Sequence, residues 1–239
     1  MLIIGERINP TGKRELAEDL ARGRFDVLLD EAKRQIAAGA QALDVNVCVE
    51  GREEAELMLA AIKRLRALAD CAIFVDSRSS EVHRRVLEAG AVGLVINSVR
   101  EAPDPDALLE LAAKRAAGVV LMPLGGPTGE LALRRRAALS LRQAAQRAGL
   151  EESRLWMDVG VVPLALGSAR FEQTFQFLRF VRDELGARTL AAVSNGSFGL
   201  TSRPGRNREL LERFASEGLD AVILDPTQPG LLDVLQQGV

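Results

Sequence analysis

The sequence predicts an α/β fold, a single (β/α)8 TIM barrel over residues 1–239, and three observations support this. Eight short apolar segments alternate with stretches of helical periodicity, the pattern of βα units on a buried parallel sheet. The length of 239 residues suits a fold that typically takes about 250. Hydrophobic residues make up 47% of the chain and no low-complexity stretch divides it, so one domain is the economical arrangement.

The eight predicted strands are short runs of Val, Ile, Leu and Ala, and most of their ends carry Asp or Asn. In order they are Leu2 to Glu6, Ala42 to Val47, Ala72 to Asp76, Gly93 to Asn97, Val119 to Leu124, Leu155 to Asp158, Leu190 to Asn195 and Ala221 to Asp225. The carboxyl ends of barrel strands face one mouth, where active sites are built. We therefore expect these polar ends to converge on one site.

The stretches between the strands carry apolar stripes with a 3.6-residue period. Asp26 is the predicted N-cap of one helix and Gly39 its stop residue, and Ser79 or Ser80 is the predicted N-cap of another. The eighth helix is predicted to be short or incomplete, because only Leu231 to Gln237 remains to form it. The stripes are Leu28, Leu29, Ala32 and Ile36; Met58, Ala61, Ile62, Leu65, Leu68 and Ala69; and Phe171, Thr174, Phe175, Leu178 and Leu185.

Composition argues against several classes of function. The net charge of −2 gives no general attraction to nucleic acid or to acidic membranes. No apolar run reaches the ~18 residues of a membrane span and no signal peptide is visible, so we expect a cytoplasmic protein. Cys48 and Cys71 are expected to be reduced, buried thiols, although Cys48 follows a strand end closely enough to line the pocket. The run Arg134 to Arg136 is expected to be a solvated helix face, with partner docking as the alternative.

The sequence contains one histidine, His83, which lies early in a predicted helix beside two arginines and is expected at the surface. A His-based triad, a multi-His metal site and a His general base are therefore not expected. Glycine-rich phosphate and dinucleotide loops and the Gly-x-Ser-x-Gly elbow are also missing from the sequence. Catalysis must then use Asp, Asn, Glu, Ser or Arg.

Carboxylates and amides at a barrel mouth suit a flat heterocycle that carries N–H donors and carbonyl acceptors. An Asp carboxylate accepts two hydrogen bonds side by side, and an Asn amide offers one donor and one acceptor edge, so together they can bind an amino-pyrimidinone such as a pterin. Polar strand ends also bind sugars, phosphates and metals, and Asp44, Asp76 and Asp158 suit Mg²⁺ equally well.

Six strand ends carry local motifs in a particular order. These are Gly5 to Gly12, Ala42 to Val47, Val75-Asp76-Ser77, Val95 to Ser98, Met157-Asp158 and Val193-Ser194-Asn195. In this order, from Leu2 to about Asp225, the chain resembles the pterin-binding barrel family. Within that family it resembles specifically the methyltetrahydrofolate:corrinoid methyltransferases and the folate domain of cobalamin-dependent methionine synthase.

The resemblance implies a role for each matching residue. Asn195 would be the catalytic residue, near the N5 atom that carries the methyl group, and Ser194 would shape the turn beside it. Arg203 would lie by the bound folate in the loop after the seventh strand. Hydrogen bonds to the pterin ring are implied for Asp76, Asn97 and Asp158, and the mouth would be completed by Glu6, Asn9, Asp44 and Asn46.

The implied reaction moves the N5 methyl group of 5-methyltetrahydrofolate to the Co(I) of a corrinoid. A neutral amine is a poor leaving group, so N5 must gain a proton or a strong hydrogen bond as the bond breaks. No general acid stands out in the sequence, and the proton is expected through water. Since the chain has no Asp-x-His-x-x-Gly cobalamin motif, the corrinoid or cobalamin is expected on a partner protein. The resemblance also implies a homodimer.

The chain departs from the family pattern in three places. Phe198 stands where a polar residue is usual, so its ligand contact would be lost or replaced by packing; Val159 replaces a proline; and the loop Pro123 to Gly129 is unusually rich in Gly and Pro. Two other functions are carried as alternatives. One is a non-catalytic folate-binding subunit, and the other is a dihydropteroate synthase, which would carry a lysine in the loop after the seventh strand.

Overall fold

The computed structural model describes residues 1–101, 105–126 and 130–235, and its eight parallel strands form a closed barrel. Each strand pairs with the next along the chain, and the eighth pairs with the first. The (β/α)8 prediction is therefore confirmed. The strands are β1 (Leu2–Ile8), β2 (Ala42–Val45), β3 (Ala72–Asp76), β4 (Leu94–Val99), β5 (Gly118–Leu121), β6 (Leu155–Asp158), β7 (Thr189–Ala192) and β8 (Ala221–Leu224).

Helices cover the outside of the barrel and pack their apolar stripes against the strands. The stripe residues Phe171, Thr174, Phe175 and Leu178 are all buried, as their period predicts. The helices are α1 (Arg14–Ala21), α2 (Asp26–Ala37), α3 (Glu54–Leu68), α4 (Ser80–Glu88), α5 (Asp106–Lys114), α6 (Leu131–Arg147), α7 (Ser168–Arg179), the single turn α8 (Val193–Gly196) and α9 (Arg203–Ser216).

One predicted helix cap is confirmed and another is wrong. Ser79 caps α4, because its side chain accepts a hydrogen bond from the backbone N–H of Val82 at 3.4 Å. Asp26, in contrast, is the first residue of α2 and its side chain caps nothing. The cap of α2 comes from Asp19, at the end of the preceding helix, whose carboxylate accepts from the backbone N–H of Val27 at 3.2 Å.

The predicted eighth helix is a single 3-10 turn, Leu232–Leu235, in the part of the chain that the structure describes. The remaining residues of that prediction, Gln236 and Gln237, lie outside the described residues. The loop Pro123 to Gly129 is likewise described only as far as residue 126. No helix among the described residues is long and apolar enough to span a bilayer.

His83 was expected at the surface, and this prediction is wrong. Its side chain is 1% exposed, and Nε2 donates a hydrogen bond to the backbone carbonyl of Val75 at 3.0 Å. Burial lowers the pKa of His83 to about 4, so the imidazole is neutral near pH 7. The prediction was wrong because it relied on the two neighbouring arginines. In the first turns of a helix, one side chain can face the strand while its neighbours in the sequence face solvent.

The arginine run is also not a uniformly solvated face. Arg134 is buried: Nη2 donates to the backbone carbonyl of Val159 at 2.5 Å, and the guanidinium lies 4.2 Å from the centre of the Phe177 ring. Arg136, two residues on, is exposed. The run therefore includes a buried residue that holds the loop after β6.

The prediction of two buried thiols is wrong for one of the two. Cys48 is exposed, and Cys71 is half-buried. Cys48 follows β2 by three residues, but it contributes to a shallow surface hollow with Pro10 and Val49 and does not line the mouth of the barrel. The pKa of both thiols is raised, for Cys48 by partial burial and the charge of Glu54 and for Cys71 by burial, so neither is activated as a nucleophile.

Candidate active site

The site begins with a layer of apolar side chains that fills the barrel. It consists of Ile4, Ala42, Phe74, Val95, Val120, Leu190, Ala221 and Ile223, with Trp156 packed against it. In a strand, residues two apart point to the same face, so the next inward side chain toward the mouth lies two positions further on. Applied to these strands, that step reaches Glu6, Asp44, Asp76, Asn97, Met122, Asp158, Ala192 and Asp225. Six of these eight side chains are polar, and Met122 and Ala192 are apolar, so the barrel carries a predominantly polar layer directly above its apolar layer.

All eight residues of this polar layer line one cavity at the carboxyl ends of the strands, with a volume of about 530 Å³. That volume lies within the range of small-molecule sites, about 300–1,000 Å³. Nine of the ten predicted site residues line the cavity, namely Glu6, Asn9, Asp44, Asp76, Asn97, Asp158, Ser194, Asn195 and Arg203. The tenth, Asn46, stands behind them and supports Asp76.

Two hydrogen-bonded pairs, each of an Asn amide and an Asp carboxylate, form one side of the cavity. The amide nitrogen of Asn97 donates to Asp44 at 2.9 Å, and that of Asn46 donates to Asp76 at 3.1 Å. Asp76 and Asn97 are also direct neighbours in the β3–β4 register. Burial raises the pKa of Asp44 and of Asp76, and the charge of Asp76 raises that of Asp44 further.

Asp158, at the end of β6, closes the same side. One of its oxygens accepts the backbone N–H of Gly160 at 2.7 Å, and burial raises the pKa of the carboxyl. Arg134 lies close to Asp158 because it donates to the carbonyl of the adjacent Val159, and its positive charge partly offsets the rise in the Asp158 pKa. Each of the three aspartates thus has one oxygen held by the protein. No donor to the other oxygen occurs in the described parts of the chain.

The opposite side of the cavity is formed by β1 and by the chain after β7. β7 ends at Ala192, earlier than predicted, so Ser194 and Asn195 lie on the helical turn α8. Ser194 Oγ donates to Glu6 at 2.6 Å, and Asn195 is exposed at the rim. No hydrogen bond joins the Asn195 side chain to any other described residue, so its amide is free to meet a ligand.

Arg203 was predicted in a loop, but it is the first residue of α9. Its guanidinium donates to Ser197 Oγ at 3.1 Å and to the backbone carbonyl of Ser194 at 3.0 Å. Ser197 is fully buried and in turn donates to the same carbonyl at 3.2 Å. Arg203 therefore holds the turn that presents Asn195 as well as lining the cavity.

Three basic residues of the cavity were missed by sequence reasoning: Arg7, Lys13 and Arg100. Arg7 pairs with Glu31 at 2.8 Å and with Asp225 at 2.9 Å, which ties β1 to β8. Lys13 Nζ donates to the backbone carbonyl of Arg7 at 2.6 Å, and burial lowers its pKa. The only sequence signal for them was position, since each lies within seven residues of a predicted site residue.

Phe198 is 66% exposed, so packing does not replace the polar contact that the family pattern places there. Its backbone N–H donates to the carbonyl of Asn195 at 3.2 Å, which puts the ring on the same turn at the rim. Val159 is fully buried. The described residues contain no group of three His, Cys, Asp or Glu side chains arranged to hold a metal ion.

The described geometry agrees with the comparison to known families. The family described as pterin binding enzyme matches residues 5–225, which is most of the chain. The protein therefore belongs to the pterin-binding enzyme family, as its strand-end motifs indicated.

Two relatives and one solved structure show how far the likeness extends. The chain is 27% identical over 240 residues to methionine synthase of Mycobacterium leprae, covering 94% of this chain and 20% of that protein. It thus spans about a fifth of that relative's length. It is 24% identical to the methylcorrinoid:tetrahydrofolate methyltransferase of Eubacterium limosum, covering 98% of this chain and 89% of that protein.

The solved dihydropteroate synthase of Xanthomonas albilineans, in complex with 7,8-dihydropteroate, superimposes with a TM-score of 0.74. The match covers 100% of this chain and 94% of that one, at 22% sequence identity. At this identity the likeness establishes the barrel fold and leaves the reaction open.

Proposed function

We propose that this protein transfers the N5 methyl group of 5-methyltetrahydrofolate to the Co(I) of a corrinoid carried by a partner protein. The observation that carries the proposal is the free amide of Asn195, exposed at the rim of a cavity with an acidic, amide-lined floor. The floor suits the pterin ring, and the free amide at the rim is available to the atom that loses the methyl group.

The acidic floor accounts for pterin binding. The amino-pyrimidinone ring presents several N–H donors along one edge, and Asp44, Asp76 and Asp158 each keep one oxygen free of protein donors among the described residues. Burial raises the pKa of all three carboxyls, because the cavity gives an anion little solvation. A ligand that donates hydrogen bonds to these carboxylates relieves that cost, so binding and desolvation support each other.

Asn195 supports the leaving of the methyl group. As the bond between N5 and the methyl carbon breaks, N5 gains electron density and must take up a proton or a hydrogen bond. A preorganised amide that contacts N5 more closely in the transition state than in the ground state lowers the activation barrier of that step. Arg203 and buried Ser197 fix the turn on which Asn195 stands, which is the preorganisation such a contact needs.

The surroundings of the mouth support an acceptor that arrives on a protein. Three exposed large apolar side chains lie on consecutive loops at this end of the barrel: Leu124 after β5, Leu166 after β6 and Phe198 after β7, at 45%, 56% and 66% exposure. The loops after β6 and β7 adjoin one another, since a Cβ on Gly199 would lie 3.7 Å from Ala165. Apolar side chains beside a functional mouth are typical of protein contact surfaces.

The two alternatives make different predictions about the same cavity. A dihydropteroate synthase would be expected to place a lysine after β7, whereas the lysine of this cavity, Lys13, follows β1. A non-catalytic folate-binding subunit would bind at the acidic floor and would not use Asn195. Methyl transfer, formation of 7,8-dihydropteroate and binding alone are therefore distinguishable outcomes.

The test is calorimetric titration with 5-methyltetrahydrofolate, followed in the same sample by Co(I) cobalamin with its absorbance monitored. Wild type should bind and methylate the cobalamin. Asp76→Ala should weaken folate binding by about 30-fold, the loss of roughly 2 kcal/mol for a hydrogen bond to a charged group. Asp70→Ala, an exposed carboxylate at the other end of β3, is the matched control and should bind as wild type does.

Binding without methylation would support the subunit alternative, and 7,8-dihydropteroate formation would support the synthase. Absence of folate binding by wild type would refute the pterin site itself.

A further inference from the structure

We infer that Glu6 supplies the proton that N5 takes up as the methyl group leaves, with the Ser194 hydroxyl as its relay. The inference rests on the proposed function and assigns the acid that the sequence did not reveal. Glu6 would then be a proton donor in the reaction as well as a residue that lines the cavity.

Glu6 is placed on the side of the cavity where the chemistry would occur. β1 carries it to the turn after β7, where Ser194 Oγ donates to it at 2.6 Å. Ser194 directly precedes Asn195 in the chain. The Glu6 carboxyl, the Ser194 hydroxyl and the Asn195 amide, which is the proposed contact to N5, therefore lie side by side on one wall of the cavity. Asp225 lies on the same wall, but Arg7 at 2.9 Å and Thr227 at 2.6 Å already occupy its two oxygens.

The hydrogen-bond partner of Glu6 distinguishes it from the other acids of the cavity. Asp44, Asp76 and Asp158 each accept from a nitrogen donor, which favours the carboxylate anion. Glu6 meets a hydroxyl, which can donate to a carboxylate or accept from a carboxylic acid. When Glu6 is protonated, its O–H donates to Ser194 and the Ser194 hydrogen is released to point into the cavity. The same contact thus serves both protonation states, as a relay requires.

The surroundings of Glu6 favour the protonated form of its carboxyl. Burial raises the pKa of the Glu6 carboxyl, and the charge of Asp225 raises it further. The Ser194 hydrogen bond and the charges of Lys13 and Arg203 act in the opposite direction but do not cancel the rise. The charge of Glu6 in turn raises the pKa of Asp44, across the cavity. A raised pKa increases the fraction of the carboxyl that holds its proton at a given pH, which a general acid requires.

The step balances as follows. The electron pair of Co(I) forms the bond to the methyl carbon, and the bond between that carbon and N5 breaks with its electron pair left on N5. The Ser194 hydroxyl passes its proton to N5 and receives the Glu6 proton in return. Tetrahydrofolate leaves with the proton, and the Glu6 carboxylate is reprotonated from solvent at the open mouth.

The experiment is single-turnover methylation of Co(I) cobalamin by the 5-methyltetrahydrofolate complex, followed by absorbance from pH 5 to 9. The wild-type rate should be highest at low pH and fall tenfold per unit above the Glu6 pKa. Glu6→Gln keeps a side chain that can accept from Ser194 but carries no exchangeable acid proton, so its rate should fall by about 100-fold and lose that pH dependence. Folate affinity should stay within about twofold of wild type in Glu6→Gln, because the pterin floor is intact.

Three further variants keep the test decisive. Glu6→Asp retains an acid at a longer distance and should give an intermediate rate that still falls with pH, which rescues the pH profile that Glu6→Gln loses. Ser194→Ala should slow transfer and leave folate affinity unchanged. Glu15→Gln, an exposed glutamate beyond the site, is the matched control and should behave as wild type.

A Glu6→Gln enzyme with wild-type rate and wild-type pH profile would overturn the inference while leaving the proposed function intact. If Glu6→Gln failed to bind folate, an Asp variant that also lost the pH dependence would overturn it. Failure of wild type to bind folate or to methylate cobalamin would instead refute the proposed function, and the inference with it.

Discussion

Buried His83 should make folding strongly dependent on pH, with a magnitude that the structure defines. Its pKa is about 4 in the folded protein, against an ordinary 6.5. Because the folded pKa is lowered, the unfolded chain binds the proton more tightly, and stability falls as pH drops from about 7 toward 4. Between pH 7 and pH 5, the linkage relation gives a loss of about 2 kcal/mol from this group.

The carboxyls of the cavity make stability change with pH in the opposite direction, so the measurement must cancel their contribution. Their pKa values are raised in the folded protein, so their contribution to stability is present at low pH and lost as pH rises through the folded values. His83→Gln keeps a donor toward Val75 and removes the titration. The difference between wild type and His83→Gln therefore isolates the histidine.

The assay is urea unfolding of both proteins at pH 7 and pH 5, followed by circular dichroism. Wild type should lose about 2 kcal/mol more free energy of unfolding between the two pH values than His83→Gln does. Equal losses in the two proteins would refute the burial and the neutral state of His83.

Two further predictions concern residues that hold the site in place. Arg134→Lys should destabilise the protein by about 2 kcal/mol in urea unfolding, because the planar guanidinium contacts both Val159 and the Phe177 ring and an ammonium cannot reproduce both contacts; an unchanged midpoint would contradict this. Gly5→Ala should lower thermal stability by about 3 kcal/mol, because the added Cβ would lie 2.3 Å from Oε1 of Gln35. That oxygen accepts the backbone N–H of Arg7, the residue after Glu6 in β1. A melting temperature equal to that of wild type would show that Gln35 can move aside.

The sequence was most informative where side-chain periodicity and topology act together. Each strand alternates its side chains between two faces, and parallel strands end at one mouth, so Asp44, Asp76, Asn97 and Asp158 could be placed in one layer without coordinates. Residues outside the strands were harder to place. The polar run that continues β7 coils into a helical turn after Ala192, and sequence alone does not show where extended backbone stops.

The errors on His83, Arg134 and Asp26 share one physical cause, which is a contact with another element of the fold. Arg134 and His83 carry polar groups that satisfy backbone carbonyls of other elements, and such carbonyls are invisible in the sequence. Asp26 has the right chemistry for a cap, but Asp19 reaches the same N–H groups from the preceding helix. The Glu6 contact with Ser194 spans 188 positions and depends on barrel closure.

The central claim is that Asn195 promotes methyl transfer from a bound 5-methyltetrahydrofolate, and one rate comparison tests it directly. Saturate wild type and Asn195→Ala with 5-methyltetrahydrofolate, add Co(I) cobalamin, and measure the single-turnover rate by absorbance. Wild type should methylate the cobalamin, and Asn195→Ala should do so about 100-fold more slowly, the typical effect of removing one preorganised donor. Equal rates in the two proteins, or no methylation by folate-saturated wild type, would contradict the claim.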